Sequence, residues 1–235
     1  MAPVAIVADG NQESSSAFAM RLAELGWDVA VLCRDSTAGT ETVNRVRGTG
    51  RQALAVETDV TDSVSVDAAL GRVCAELGEP NVLVNTVTTT VRGPLSRISD
   101  DDWLAATGLP LRGLFVTSRS VIDPMIRQGW GRIINIAALP ASVASGPHHH
   151  ATVLAAVEGF TRTIALELQA FGITVNAIAP ATPAAEVRTG AGPHVTDAAG
   201  PRYAAQIAAA VPFLVSDGAS SVTGQVIHVG DEEAA

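Results

Sequence analysis

Residues Gly131 to Pro180 decide the fold. They read G-R-I-I-N-I-A-A at 131–138, a polar loop ending in His148-His149-His150, A-T-V-L-A-A-V-E-G-F-T-R-T-I-A-L-E-L at 151–168, and G-I-T-V-N-A-I-A-P at 172–180. Ile133, Ile134 and Ile136 form an apolar run of strand length, and Ile173, Val175 and Ile178 form another. Between them Val153, Val157, Phe160, Ile164 and Leu168 recur at steps of four, three, four and four, which sets them on one face of a helix. The stretch is a strand, helix, strand unit.

Working outward, the same unit repeats. Residues 3–8 (P-V-A-I-V-A) are apolar throughout, as a parallel strand covered on both faces requires. Ser14, Ser15 and Ser16 are candidate caps for a helix whose Phe18, Leu22 and Leu25 face the sheet. Further strands are expected at 29–33, 53–56 and 82–85, with Asp62 as cap of a helix that turns Val66, Leu70, Val73 and Leu77 to one side. A helix over about 101–127 should turn Leu111, Leu114, Phe115, Ser118 and Ile122 inward, and a helix over 204–216 precedes a last strand at 225–229. The Pro/Gly/Ala-rich stretch 181–201 reads as a lid-like loop and 231–235 as a short tail. Residues 1–235 are thus expected to form one α/β domain, a Rossmann-type doubly wound sheet of seven parallel strands, with its ligand crevice beyond the strand carboxyl ends.

Composition narrows the function classes. With 47% hydrophobic residues and a mean hydropathy of +0.28 the chain has ample core for one domain. A net charge of −9 argues against nucleic acid or an anionic membrane as partner, and no apolar run reaches membrane-spanning length. No Lys or Arg precedes Arg21, so no secretory signal is expected. Cys33 and Cys74 sit in no C-x-x-C or zinc spacing and read as small hydrophobes of a cytoplasmic protein.

Taken together, the first strand, D-V-T-D at 59–62, V-L-V-N at 82–85, G-R-I-I-N-I, I-T-V-N-A-I-A-P and the closing F-L-V-S-D…V-T-G-Q-V-I-H-V resemble the short-chain dehydrogenase/reductase family, in particular the bacterial β-ketoacyl-acyl carrier protein reductases. That resemblance implies a Ser after the catalytic strand, a Tyr and a Lys on the next helix, and an Asn on the preceding one. Here those positions hold Ala138, Ala151, Ala155 and Pro110. A phenol needs a neighbouring cation to exchange its proton near neutral pH, and alanine can neither donate nor accept one. Proline at 110 removes an amide and should kink its helix, at about 3 kcal/mol.

In the family the first strand enters a turn with three glycines that lets backbone amides approach a pyrophosphate. Asp9, Glu13 and Ser15 stand there instead. Two like charges about 4 Å apart repel by roughly 4 kcal/mol at an intermediate dielectric. The two acids also suit the positive end of the following helix. No bound cofactor is therefore expected, with weak NADP(H) binding at most. The residues that would serve it are Arg34 beside a 2′-phosphate, Asp59 and Val60 at the adenine, and Asn85. The family's N-A-G appears as Thr86-Val87-Thr88.

Four readings follow. The resemblance implies two association surfaces, the helices at 101–127 and 151–170, with small residues Ala151, Ala155, Ala156 and Gly159 on the second, and the last strand with its preceding helix; both look preserved. The main expectation is a catalytically silent subunit, leaning away from an enzyme, that pairs with an active short-chain dehydrogenase/reductase in a hetero-oligomer or with itself in a homo-oligomer. A second reading is a cofactor-independent cyclase, isomerase or dehydratase using His148, His149 and His150, since imidazole titrates near neutral pH. Three successive histidines point in different directions and no Cys or carboxylate in the loop completes a ligand set, so no metal site is expected. Ser142 and Ser145 read as turn residues, His194 and Tyr203 lie in or beside the lid-like loop, and His228 lies in the last strand. The third reading is a stand-alone ligand-binding or regulatory protein, and the last is an NADPH-dependent 3-oxoacyl reductase. Halohydrin dehalogenases, relatives that dropped the nucleotide, keep a Ser-Tyr-Arg set that has no counterpart here.

Overall fold

The apolar runs become seven strands of one parallel sheet in the computed structural model, which describes residues 2–8, 12–87, 95–137, 147–180 and 199–229. They are β1 Val4–Ala8, β2 Asp28–Cys33, β3 Ala53–Glu57, β4 Pro80–Val87, β5 Gly131–Ala137, β6 Ile173–Pro180 and β7 Val226–Val229. Their order is β3-β2-β1-β4-β5-β6-β7. The chain winds outward from β1 to β3, then crosses back to place β4 on the other side of β1. That reversal is the switch point at which doubly wound sheets open a crevice.

Helices α1 Gln12–Glu24, α2 Ser36–Arg47, α3 Ser63–Glu76, α4 Asp100–Gln128, α5 Pro147–Leu168, α6 Ala199–Ala208 and α7 Val211–Val215 cover the two faces. Strand residues alternate between faces, and both faces are apolar because both are covered. Ala5, Val7, Val29, Val31 and Ile134 pack under Phe18 and Leu22 of α1 and Val211 and Leu214 of α7. Val4, Ile6, Ala30, Leu83 and Ile133 pack against Val73 of α3, Met125 of α4 and Leu168 of α5. Each such aliphatic or aromatic side chain contributes about 1.5–3 kcal/mol on full burial. A third cluster, Val87, Leu114, Ala137, Val153, Val157 and Ala177, sits at the carboxyl ends of the strands. It joins α4 and α5 to the sheet directly beneath the crevice.

Several boundaries differ from the expectations, each for a local reason. Helix α1 begins at Gln12, so Ser14–Ser16 lie inside its first turns rather than ahead of it. Asp62 does cap α3, its side chain accepting from Val64 N at 3.2 Å. The closing helix is two, because Pro212 has no amide to continue α6 and is tolerated in the first turn of α7. Helix α6 starts at Ala199, inside the stretch expected to be loop; 181–198 and 230–235 lie outside the described residues.

Helix α4 runs unbroken through both Pro110 and Pro124. Ala106, Thr107, Gly113 and Leu114 are buried on both sides of Pro110, so packing on the sheet keeps the two halves in one helix. Phe115, expected inward, is 47% exposed with the Arg119 guanidinium 5.3 Å above its ring. Gly172, at φ 74°, turns the chain into β6, and a Cβ there would collide with the Gly129 carbonyl oxygen. Among the described residues no helix is long and apolar enough to cross a membrane.

Candidate functional site at the carboxyl edge of the sheet

The candidate residues divide into a buried group on β4 and an exposed group beyond β2 and β3. On β4, Asn85 stands in register with Asn135 of β5. Asn85 Nδ2 donates to Ser118 Oγ at 3.1 Å and to Asn135 Oδ1 at 3.0 Å, and its Oδ1 accepts from Thr117 Oγ1 at 2.8 Å. Asn135 Nδ2 passes the chain on to Thr161 Oγ1 of α5 at 3.0 Å. All five residues are buried. This network ties β4 and β5 to α4 and α5, and it satisfies both polar atoms of the Asn85 amide from within the protein. Asn85, a sequence candidate for the cofactor, is thereby engaged by its own fold. The motif quotations contained Asn135, but nothing in them showed that it would meet Asn85, Thr117 and Thr161.

The residue after Asn85 behaves differently. Thr86 Oγ1 is buried without a hydrogen-bond partner. Among the described residues Arg132 Nε is the other such atom.

Beyond β2 and β3 the surface is charged and open. Arg34, just past β2, is exposed, and so is Asp59, two residues past β3. Asp59 Oδ1 accepts from Thr61 Oγ1 at 2.7 Å and from Thr61 N at 2.9 Å. The Thr61 hydroxyl first, then its amide, hold the Asp59 carboxyl below the usual carboxylate range, with smaller contributions from Arg34 and Arg112. Val60, at the tip of the turn, packs on Gly113 of α4, where an added Cβ would lie 3.2 Å from Val60 Cγ2. Arg34, Asp59 and Val60 are thus brought to one edge beside the switch point. Their chemistry fits the adenosine portion of a dinucleotide.

The remaining candidates are placed as follows. Ala151 and Ala155 lie exposed on α5 and Pro110 half-buried in α4. Helix α5 begins at Pro147, so His148, His149 and His150 belong to its first turn rather than to a loop, and their side chains lie outside the described residues. Asp9, Ala138, Ser142, Ser145 and His194, and the side chains of Glu13, Ser15 and Tyr203, also lie outside them. His228 is exposed on β7. Among the described residues no three His, Cys, Asp or Glu side chains converge as a metal site would need.

A doubly wound parallel sheet whose switch crevice carries these groups defines a Rossmann-type dinucleotide-binding architecture. The chain belongs to the short-chain dehydrogenase/reductase family. The family described as enoyl-(acyl carrier protein) reductase matches residues 15–231. Two relatives come from Streptomyces niveus. The short-chain dehydrogenase/reductase family member NovK is 38% identical over 97% of this chain and 95% of its own. The short-chain reductase protein NovJ is 35% identical over 96% and 92%. The 3-oxoacyl-[acyl-carrier-protein] reductase FabG of Pseudomonas aeruginosa is 31% identical over 96% and 95%, in line with the resemblance drawn from the motifs. Among solved structures, NAD+-bound xylitol dehydrogenase is 25% identical with a TM-score of 0.81, covering 96% of each chain.

These findings correct two expectations. The leaning away from an enzyme is overturned by a family whose members, at 31–38% identity over nearly the full chain, are named as reductases and dehydrogenases. The expectation of no cofactor is overturned by the same membership and by the NAD+ carried in a solved relative. That expectation gave the carboxylates of Asp9 and Glu13 more weight than the adenosine-side residues Arg34, Asp59 and Val60, which the fold brings to one edge.

Proposed function

We propose that the chain is an oxidoreductase subunit that works in an oligomer with a second short-chain dehydrogenase/reductase chain, the assembly reducing a carbonyl or oxidising the matching alcohol in the cytoplasm. The observation that carries this reading is the outward side of α4 and α5. Leu104 is 60% exposed, Phe115 47% and Leu166 71%. On α5 Ala151, Ala155 and Gly159 precede Leu166 along one exposed stripe, and an added Cβ at Gly159 would meet nothing within 4 Å. Large apolar side chains beside a path of small ones suit close packing of a second helix pair. Two relatives of this chain, one named a short-chain reductase, coexist in one organism, which is in keeping with a pair of such chains.

On this reading a bound nicotinamide would supply or accept the hydride. Arg34 would meet a 2′-phosphate and favour NADPH, while Asp59 and Val60 would hold the adenine.

Co-expression with each reductase homologue encoded nearby tests the proposal. A mixed oligomer in native mass measurement, dissociated by Leu166→Asp and turning over NADPH faster than either chain alone, is the expected result. Only self-association, or turnover by the homologue that this chain leaves unchanged, would overturn it.

A further inference from the structure

Two adjacent residues of α4 grip the turn that carries Asp59 and Val60. The Arg112 guanidinium donates through Nε to Thr61 O at 2.6 Å, a short charge-assisted bond between residues 51 apart in the chain. Beside it, buried Gly113 lets Val60 settle against the helix axis, with so little clearance that an added Cβ would stand 3.2 Å from Val60 Cγ2. The turn is therefore held at its carbonyl by Arg112 and at its side chain by the bare backbone of Gly113. Its internal bonds run from Thr61 to Asp59, and the Asp59 amide donates to Ser65 Oγ of α3 at 3.0 Å, so α3 holds the start of the turn and Arg112 holds its far end. Arg112 also acts electrostatically on the Asp59 carboxyl, together with Arg34 across the turn.

We infer that Arg112 is a positioning residue for the adenine end of the dinucleotide: by anchoring Thr61 to α4 it sets the Asp59–Val60 edge at the height the base requires. The inference rests on the reading that this chain takes a nicotinamide dinucleotide. It adds a residue to that reading which the motif positions did not include. Arg112 is exposed, so removing it opens no cavity, and its effect should fall on the turn rather than on the core.

Calorimetric titration of the purified chain with 5′-AMP, which carries the adenine end alone, tests the inference. Arg112→Ala is expected to weaken AMP binding about ten-fold, the scale of one hydrogen bond to a charged group. Arg112→Lys should restore part of the loss, because an ammonium can still reach the Thr61 carbonyl. The urea midpoint of Arg112→Ala should stay close to that of the parent chain, which separates positioning from general stability. Gly113→Ala, which keeps the guanidinium and displaces Val60, should weaken AMP binding independently. Equal AMP affinity in Arg112→Ala and the parent, or no AMP binding by the parent, would overturn the inference. The pairing proposal is judged separately, by mixed-oligomer formation in the same Arg112→Ala chain.

Discussion

Asn85 and Asp59 stand at the same edge of the same sheet, and both read in the sequence as nucleotide-binding residues, yet the fold uses them in opposite ways. The Asn85 amide is 2% exposed and bonded to Thr117, Ser118 and Asn135. Asp59 is exposed, and among the described residues its carboxylate is bonded only to Thr61 of its own turn. A central strand end is covered by two long helices, so a polar side chain there must be satisfied by protein. The turn after β3, nearer the sheet margin, is held by α3 and α4 at its backbone but leaves the Asp59 carboxylate exposed, so that side chain can meet a ligand.

The largest effect that would break this comparison comes from Asn85→Leu. Leucine keeps the branched shape of the side chain but withdraws two donors and one acceptor, leaving the Asn135 carbonyl oxygen and the Ser118 hydroxyl in a dry interior. Each unsatisfied buried group costs about 1–3 kcal/mol, and the network couples them. The variant should lose roughly 3 kcal/mol in urea unfolding. If it instead kept its midpoint and lost only AMP affinity, Asn85 would belong with Asp59 on the ligand side.

The difference between these two residues also marks what could be read in advance. The seven strands were legible because each is a run of apolar residues. The inward face of α5 was legible because Val153, Val157 and Leu168 repeat with the helical period and are buried as that period requires. The polar network was not, because its bonds depend on β4 and β5 pairing Asn85 with Asn135 across 50 residues. Phe115 was misplaced for a related reason. Helix α4 carries apolar side chains on its sheet side and its outer side alike, so periodicity alone cannot say which stripe the fold buries. The cofactor expectation failed because it weighed residues 9–15 and treated the adenosine edge as secondary.

An intermediate effect sharpens the comparison from the exposed side. Asp62 is exposed like Asp59 and three residues away, but its carboxylate caps α3 through Val64 N. Asp62→Ala should cost about 1 kcal/mol of stability, the usual value of a lost helix cap, and leave AMP affinity nearly unchanged because Arg112 and Ser65 still hold the turn. A fall in AMP affinity as large as that of Arg112→Ala would show that the α3 cap, not the α4 anchor, sets the turn.

The smallest expected effect isolates the charge on Asp59. Asn at 59 keeps an oxygen to accept from Thr61 but carries no charge for Arg34 and Arg112 to act on. Because the folded carboxyl titrates below its unfolded value of about 3.9, the ionised form favours the fold. That contribution is complete above the unfolded value and disappears as pH falls through the lower folded value. At pH 7 the parent should therefore exceed Asp59→Asn in stability only slightly, by less than about 0.5 kcal/mol for a group screened by solvent. Urea midpoints measured from pH 7 down to pH 2 should bring the two chains together below pH 4. A difference that persists unchanged at pH 2 would mean that the Asn substitution alters the geometry of the turn, and that the carboxylate charge is not what steadies it.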